Sequence, residues 1–221
     1  MVVLLLLCVA SLLASGAATV HWILTRLDAR GRVRDFPMIS VGLGLTASLL
    51  CMVPVQQHAR LEERLSAAAT RLVGAHVVVH CQSFGETWTD AGAELGFVRW
   101  GNDGVPEHRT VIKYDQCNDL SAWLDHHGRH ASRDQVIAVH VLTHESMHMA
   151  GQTDEARAEC AAVQRDRTTA RLLGASDGDA RDLALRYWHE VYPWMPDGYR
   201  SDECRSGGSL DEHLDSAPWG S

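Results

Sequence analysis

Two long stretches without formal charge fix the N-terminal end of this 221-residue chain. Val2 to Leu24 contains no Asp, Glu, Lys or Arg, and neither does Phe36 to Val55. An apolar helix needs about 20 residues to cross a bilayer, so each stretch is long enough to do so. The first lacks the basic leader of a signal peptide, and cleavage there would still leave the second span. Residues 1–56 are therefore expected to form a membrane anchor of two transmembrane helices. A domain over residues 57–205 and a flexible tail over 206–221, rich in Gly, Ser and Asp, would follow.

The loop between the spans carries Arg26, Arg30, Arg32 and Arg34 against Asp28 and Asp35. Positive loops stay on the cytoplasmic side, which places the N-terminus and everything after Val55 outside the cytoplasm. The whole chain has a formal charge of -8, and removing this loop's +2 leaves -10 for the rest. The spans carry none of it, so the outer domain is acidic and no nucleic-acid partner is expected. The expected partners are the bilayer and a peptide or protein substrate, and the oligomeric state is not legible.

Cysteine placement agrees with that topology. Cys8 and Cys51 fall within the spans, whereas Cys81, Cys117, Cys160 and Cys204 belong to the outer domain. Four cysteines outside the cytoplasm predict two disulfides, with three connectivities open.

Helical spacing of Leu61, Leu65, Ala68, Ala69 and Leu72 predicts an amphipathic helix over Gln56 to Val73. Ala75 to Cys81, Ala93 to Trp100 and Arg109 to Tyr114 read as strands, the last two joined at the turn Gly101 to Gly104. A small antiparallel sheet is expected. Asn118 to His130 reads as a helix with Asn118 as its candidate cap and Leu120, Trp123 and Leu124 inward; His126, His127 and His130 are solvated at its end. Another helix is expected over Asp179 to Val191, stopped by Pro193 and Pro196. The fold class is α+β and mainly helical.

The chemistry concentrates in His144-Glu145-Ser146-Met147-His148. Histidines four apart lie one turn above each other on a helix, so both imidazoles reach one point and Glu145 projects beside it. Two neutral imidazoles, an open position for water and a nearby carboxylate are what a zinc site with its own general base requires. Ser132 and Gln135 form a capping-box pattern, and a mostly apolar helix runs from there to Gly151. His140 stands one turn before His144 and is expected to be a core or supporting residue, because the next two histidines already span the site.

After Gly151, Thr153 or Asp154 can cap a second helix, closing at Gly174, whose first turn folds back towards His148. Glu155 and Glu159 are four apart on it, so one can ligate the metal while the other accepts the N–H of a ligand histidine. Tyr187, His189, Tyr192 and Tyr199 have the residue type of an oxyanion donor, without diagnostic spacing.

His144-Glu-x-x-His148 followed by Glu155-x-x-Ala158-Glu159 resembles the gluzincin class of zinc metallopeptidases. By that resemblance the domain is zincin-like, Glu155 is the third zinc ligand, and Glu159 supports a ligand histidine. A rival resemblance, to metzincin-like enzymes, places Asp154 at the third ligand. The implied function is peptide-bond hydrolysis by a zinc-activated water with Glu145 as general base and His144, His148 and Glu155 holding Zn2+. The alternative is a catalytically inactive membrane-anchored domain with a structural metal site or an interaction role.

Overall fold

The computed structural model describes residues 2–27, 31–90, 92 and 94–219. Asp28 and Arg30 of the basic loop, Ala93 of the expected second strand, and the last two residues of the tail lie outside the described residues. The chain divides into two compact units, residues 1–60 and 61–221.

The first unit is a helical hairpin made by α1 (Val2–Thr25) and the first part of α2 (Met38–Val73). Both helices are long and apolar enough to cross a membrane by length and composition. Small polar residues let them approach: Ser48 Oγ donates to the Cys8 carbonyl at 3.1 Å, and Ser15 Oγ donates to its own helix at the Ser11 carbonyl at 3.0 Å. A side chain at Gly44 would collide with Ser15 Oγ. Close contact between small residues is the usual way apolar helices associate where no hydrophobic driving force acts between them.

In the second unit the order is β1 (Val78–Cys81), β2 (Gly96–Trp100), β3 (Pro106–Ile112), α3 (Tyr114–Asp125), α4 (Arg133–Met149), α5 (Glu155–Val163), α6 (Asp166–Leu172) and α7 (Asp177–Arg186). A single π-helical turn at Tyr187–Val191 extends α7. The sheet is mixed, not antiparallel as expected: its spatial order is β1-β3-β2, with β2 antiparallel and β1 parallel to β3. The turn at Gly101–Gly104, with Gly104 in the left-handed region, fixes only the β2–β3 hairpin. Hydropathy alternation in β1 marks a strand but carries no information on its direction.

Spacing explains how β1 is held. Glu62, Ser66 and Thr70 are four apart on α2, and their side chains accept from the backbone N–H groups of Cys81, Val79 and Val77 at 2.9, 2.9 and 3.2 Å. One helical turn of about 5.4 Å nearly matches two strand residues of about 6.6 Å, so successive turns meet alternate N–H groups. The helix thereby covers a strand edge that would otherwise invite pairing.

Helix α4 packs on β2 and β3 and is flanked by α3, α5 and α6. The core between sheet and helices includes Val79, Ile112, Leu120, Trp123, Val139 and Leu142. Two disulfides form, Cys81–Cys117 and Cys160–Cys204, which selects one of the three connectivities. Helix α3 begins at Tyr114, so Asn118 lies inside it, while Leu120, Trp123 and Leu124 are buried as expected. The expected second helix is broken at Gln164 into α5 and α6. The segment after residue 205, expected to be a flexible tail, hydrogen-bonds to that break: Glu212 N donates to Gln164 Oε1, and Ser216 Oγ to the Gln164 carbonyl.

Candidate metal centre

Helix α4 starts with the capping box read from sequence: Ser132 Oγ accepts from Gln135 N at 3.1 Å, and the Gln135 side chain accepts from Ser132 N at 2.9 Å. The helix buries nearly all of its later turns, so the polar groups at His140, His144, Glu145 and His148 must find partners inside the protein. Gly151, with φ of 102°, ends it, and Asp154 Oδ1 caps α5 by accepting from Arg157 N at 2.9 Å. This short connection returns the first turn of α5 to the last turn of α4.

The return brings three donor atoms together. His144 Nε2 and His148 Nε2 are 2.9 Å apart, and Glu155 Oε2 is 3.2 Å from each. A tetrahedron with bonds of about 2.0 Å has edges of about 3.3 Å, so the three atoms have roughly the spacing of one face of such a site. This group could hold a metal ion, and so could a second set, His140, His144 and Glu159. Asp154 is not in either set, its side chain being used in the cap.

Both histidines are oriented from behind. His144 Nδ1 donates to Glu159 Oε2 at 3.0 Å, and His148 Nδ1 donates to the Gln152 carbonyl at 2.7 Å. Each ring therefore keeps a proton on Nδ1 and turns Nε2 inward, the nitrogen that a cation would take once any proton on it is lost. Behind Glu159 the network continues: His140 Nε2 lies 2.9 Å from Glu159 Oε2, His140 Nδ1 lies 2.8 Å from Asp166 Oδ2, and the Tyr187 hydroxyl donates to Glu159 Oε1 at 2.6 Å.

Electrostatics follows from this crowding. Burial opposes a charge on His144, but Glu155 and Glu159 outweigh it and raise its pKa to about 9. A cation must displace that proton, so binding strengthens as pH rises. Burial likewise opposes a charge on His140, yet Asp166 and Glu159 raise its pKa to about 10. Burial also opposes the charge on Glu159, and His140 with His144 nevertheless holds its carboxyl well below the ordinary range. Glu155 is lowered, chiefly by the hydrogen bond from His144.

Glu145 lies on the other side of the histidine pair, 5% exposed, with its carboxyl pushed up to about 7 by burial. Its side chain packs closely against β2 at Gly96: a Cβ there would stand 3.0 Å from Glu145 Cγ and 3.1 Å from Val141 Cγ1. Glu145, His144, His148 and Glu155 line a cleft walled by β2 and by Ile137, Val141, Trp194 and Met195.

Among the oxyanion candidates, Tyr187 is committed to Glu159, Tyr192 is hydrogen-bonded to Ser201, and His189 is exposed. Tyr199 is half-buried in the cleft, its ring centroid 5.8 Å from that of His144. Burial and the carboxylates of Glu155 and Glu145 raise its pKa, so the hydroxyl remains a donor at neutral pH. Sequence reading misses Gly96, the Gln152 carbonyl and Asp166. Of these only Gly96 had a signal, a glycine at the start of a strand, which often marks a close approach of another group.

Comparison with protein-family models, with curated proteins and with solved structures finds no match.

Proposed function

We propose that the chain is a membrane-anchored zinc metallopeptidase of gluzincin type whose hydrolytic domain lies outside the cytoplasm. The observation that carries this reading is the convergence of His144 Nε2, His148 Nε2 and Glu155 Oε2 within 3.2 Å of one another, beside the buried carboxylate of Glu145. Two imidazoles and a carboxylate are the donor set of catalytic zinc sites. The Glu155 side chain is 46% exposed, which leaves one side of the site open to solvent and argues against a closed structural centre.

When bound, zinc supplies a Lewis acid that acidifies water and polarises a carbonyl. The protein's part is proton movement and alignment. Glu145 accepts a proton from the attacking water and passes it to the nitrogen as the C–N bond breaks, while the water oxygen joins the acyl carbon. Tyr199 donates to the carbonyl oxygen as charge grows there. Strand β2, at the sheet edge, lines the same cleft, so an extended peptide can add to it as a further strand. The apolar wall opposite suits an apolar side chain.

Both disulfides and the four arginines of the inter-helix loop support the outward placement. Elemental analysis of the purified full-length protein should find one zinc per chain. Glu145→Gln should keep that zinc and lose about 100-fold or more in peptide hydrolysis. Undiminished turnover in this variant would remove Glu145 from the mechanism.

A further inference from the structure

We propose that His140 is a positioning residue of the metal centre, held by Asp166 and in turn holding Glu159, the carboxylate that orients His144. The proposal rests on the metal-site reading above and extends it to residues two and three contacts away from the ligands.

The geometry is a line of four buried groups. Asp166 Oδ2, His140 Nδ1, His140 Nε2, Glu159 Oε2 and His144 Nδ1 follow one another at 2.8, 2.9 and 3.0 Å across the three hydrogen bonds. His140 is 3% exposed, Glu159 1% and Asp166 0%, so water does not substitute for any link. Both nitrogens of His140 face carboxylate oxygens, and carboxylates accept; the ring therefore donates from both sides. It is pinned in plane as well, stacked on Tyr187 with centroids 3.5 Å apart and planes 11° from parallel. Tyr187 holds the other oxygen of Glu159.

Four elements contribute to this network. His140 and His144 belong to α4, Glu159 to α5, Asp166 to the start of α6, and Tyr187 to the π-helical turn after α7. Glu159 Oε2 accepts from both histidines at once. Without His140 this oxygen loses one of its two donors and the carboxylate loses a fixed neighbour, so its hold on His144 Nδ1 loosens. His144 is then free to turn its Nε2 away from His148 and Glu155. Partners behind a ligand histidine typically contribute about 10–100-fold to metal affinity, and His140 is one contact further back.

The same atoms admit a competing assignment, since His140, His144 and Glu159 are close enough to hold an ion of their own. Asp166 on the far nitrogen of His140 suits either assignment, since a ligand histidine commonly donates its second N–H to a carboxylate. Zinc titration against a chromophoric chelator, on full-length protein in detergent, separates the two. Wild type should bind one zinc per chain. His140→Ala should also bind one, about 10-fold or more weakly. Asp166→Asn, nearly isosteric and therefore able to carry the test if the alanine variant does not fold, should shift affinity in the same direction. His140→Gln, which keeps one N–H donor, should fall between. Affinity is read on the fraction shown folded by circular dichroism, so a merely structural role would lower the melting temperature and leave the dissociation constant unchanged. That result overturns the proposal alone. Two zinc ions in wild type, one of them lost in His140→Ala, would make His140 a ligand and overturn it as well. No zinc in folded wild type would overturn the metal-site reading and the proposal together.

Discussion

At the scale of single residues, the cleft depends on what is missing at position 96. A methyl group there would stand 3.0–3.1 Å from side-chain atoms of Glu145 and Val141, both buried on α4, so these side chains must give by a few tenths of an ångström. Gly96→Ala should destabilise the domain by about 1–3 kcal/mol through overpacking and reduce hydrolysis more than zinc content. Parallel measurements of denaturant midpoint, turnover and bound zinc check this, and unchanged turnover would show that Glu145 has room to spare. Glu145 also sets a pH dependence. Only its carboxylate form accepts a proton, and burial places its pKa at about 7 before any cation is bound. A cation at the neighbouring histidines stabilises the carboxylate and lowers that value. The rate should therefore fall on acidification, with an acid limb at or below pH about 7; a rate that rises from pH 7 to 5 would exclude Glu145 as the base. The pair His144 and His148 is legible in sequence because helical spacing alone aligns them. Asp166, 26 residues from His140, is not, since no local pattern records a contact made between helices.

At the scale of elements, α5 does two things in one turn. Asp154 caps it and Glu155 faces the histidines, so of the two neighbours that compete for the third-ligand role in the sequence only Glu155 has its carboxylate beside them. Asp154→Ala should lose about 1 kcal/mol, or about 2–4 °C in melting temperature for a domain of this size, and keep its zinc. Glu155→Ala should lose the zinc with little change in the melting temperature of the metal-free protein. Zinc lost in the Asp154 variant instead would support the metzincin-like scheme. Helix α4 and the start of α5 were readable because caps and a glycine mark those ends. The division of α5 from α6 was not, because Gln164 breaks the helix by bonding to residues near 210, far along the chain. The direction of β1 was likewise hidden, since the side chains of α2 that accept from its alternate N–H groups lie in another element.

At the scale of the whole molecule, the two apolar helices and the acidic, disulfide-bonded unit were legible from composition and charge, whereas the pairing of the cysteines required the packing. Each disulfide closes a long loop, with sequence separations of 36 and 44. Loop-closure entropy puts the contribution of each at about 4 kcal/mol at most. Reduction of the folded protein should lower its denaturant midpoint strongly, and an unchanged midpoint would show that the helical core holds both chain crossings unaided. The atoms of the candidate metal site follow a different logic. His148 is four residues from His144 and seven from Glu155, while Glu145 meets Thr110 across 35 residues. Short loops close fastest and cost least entropy, so the ligand set belongs to the low-contact-order part of the chain and the walls of the cleft to the high-contact-order part. An ion captured by the α4–α5 hairpin would act as a staple on the nascent fold, present before the sheet is complete. Assembly of this protein would then run from metal to cleft, with the capacity to hold a cation arriving earlier than the capacity to enclose a peptide.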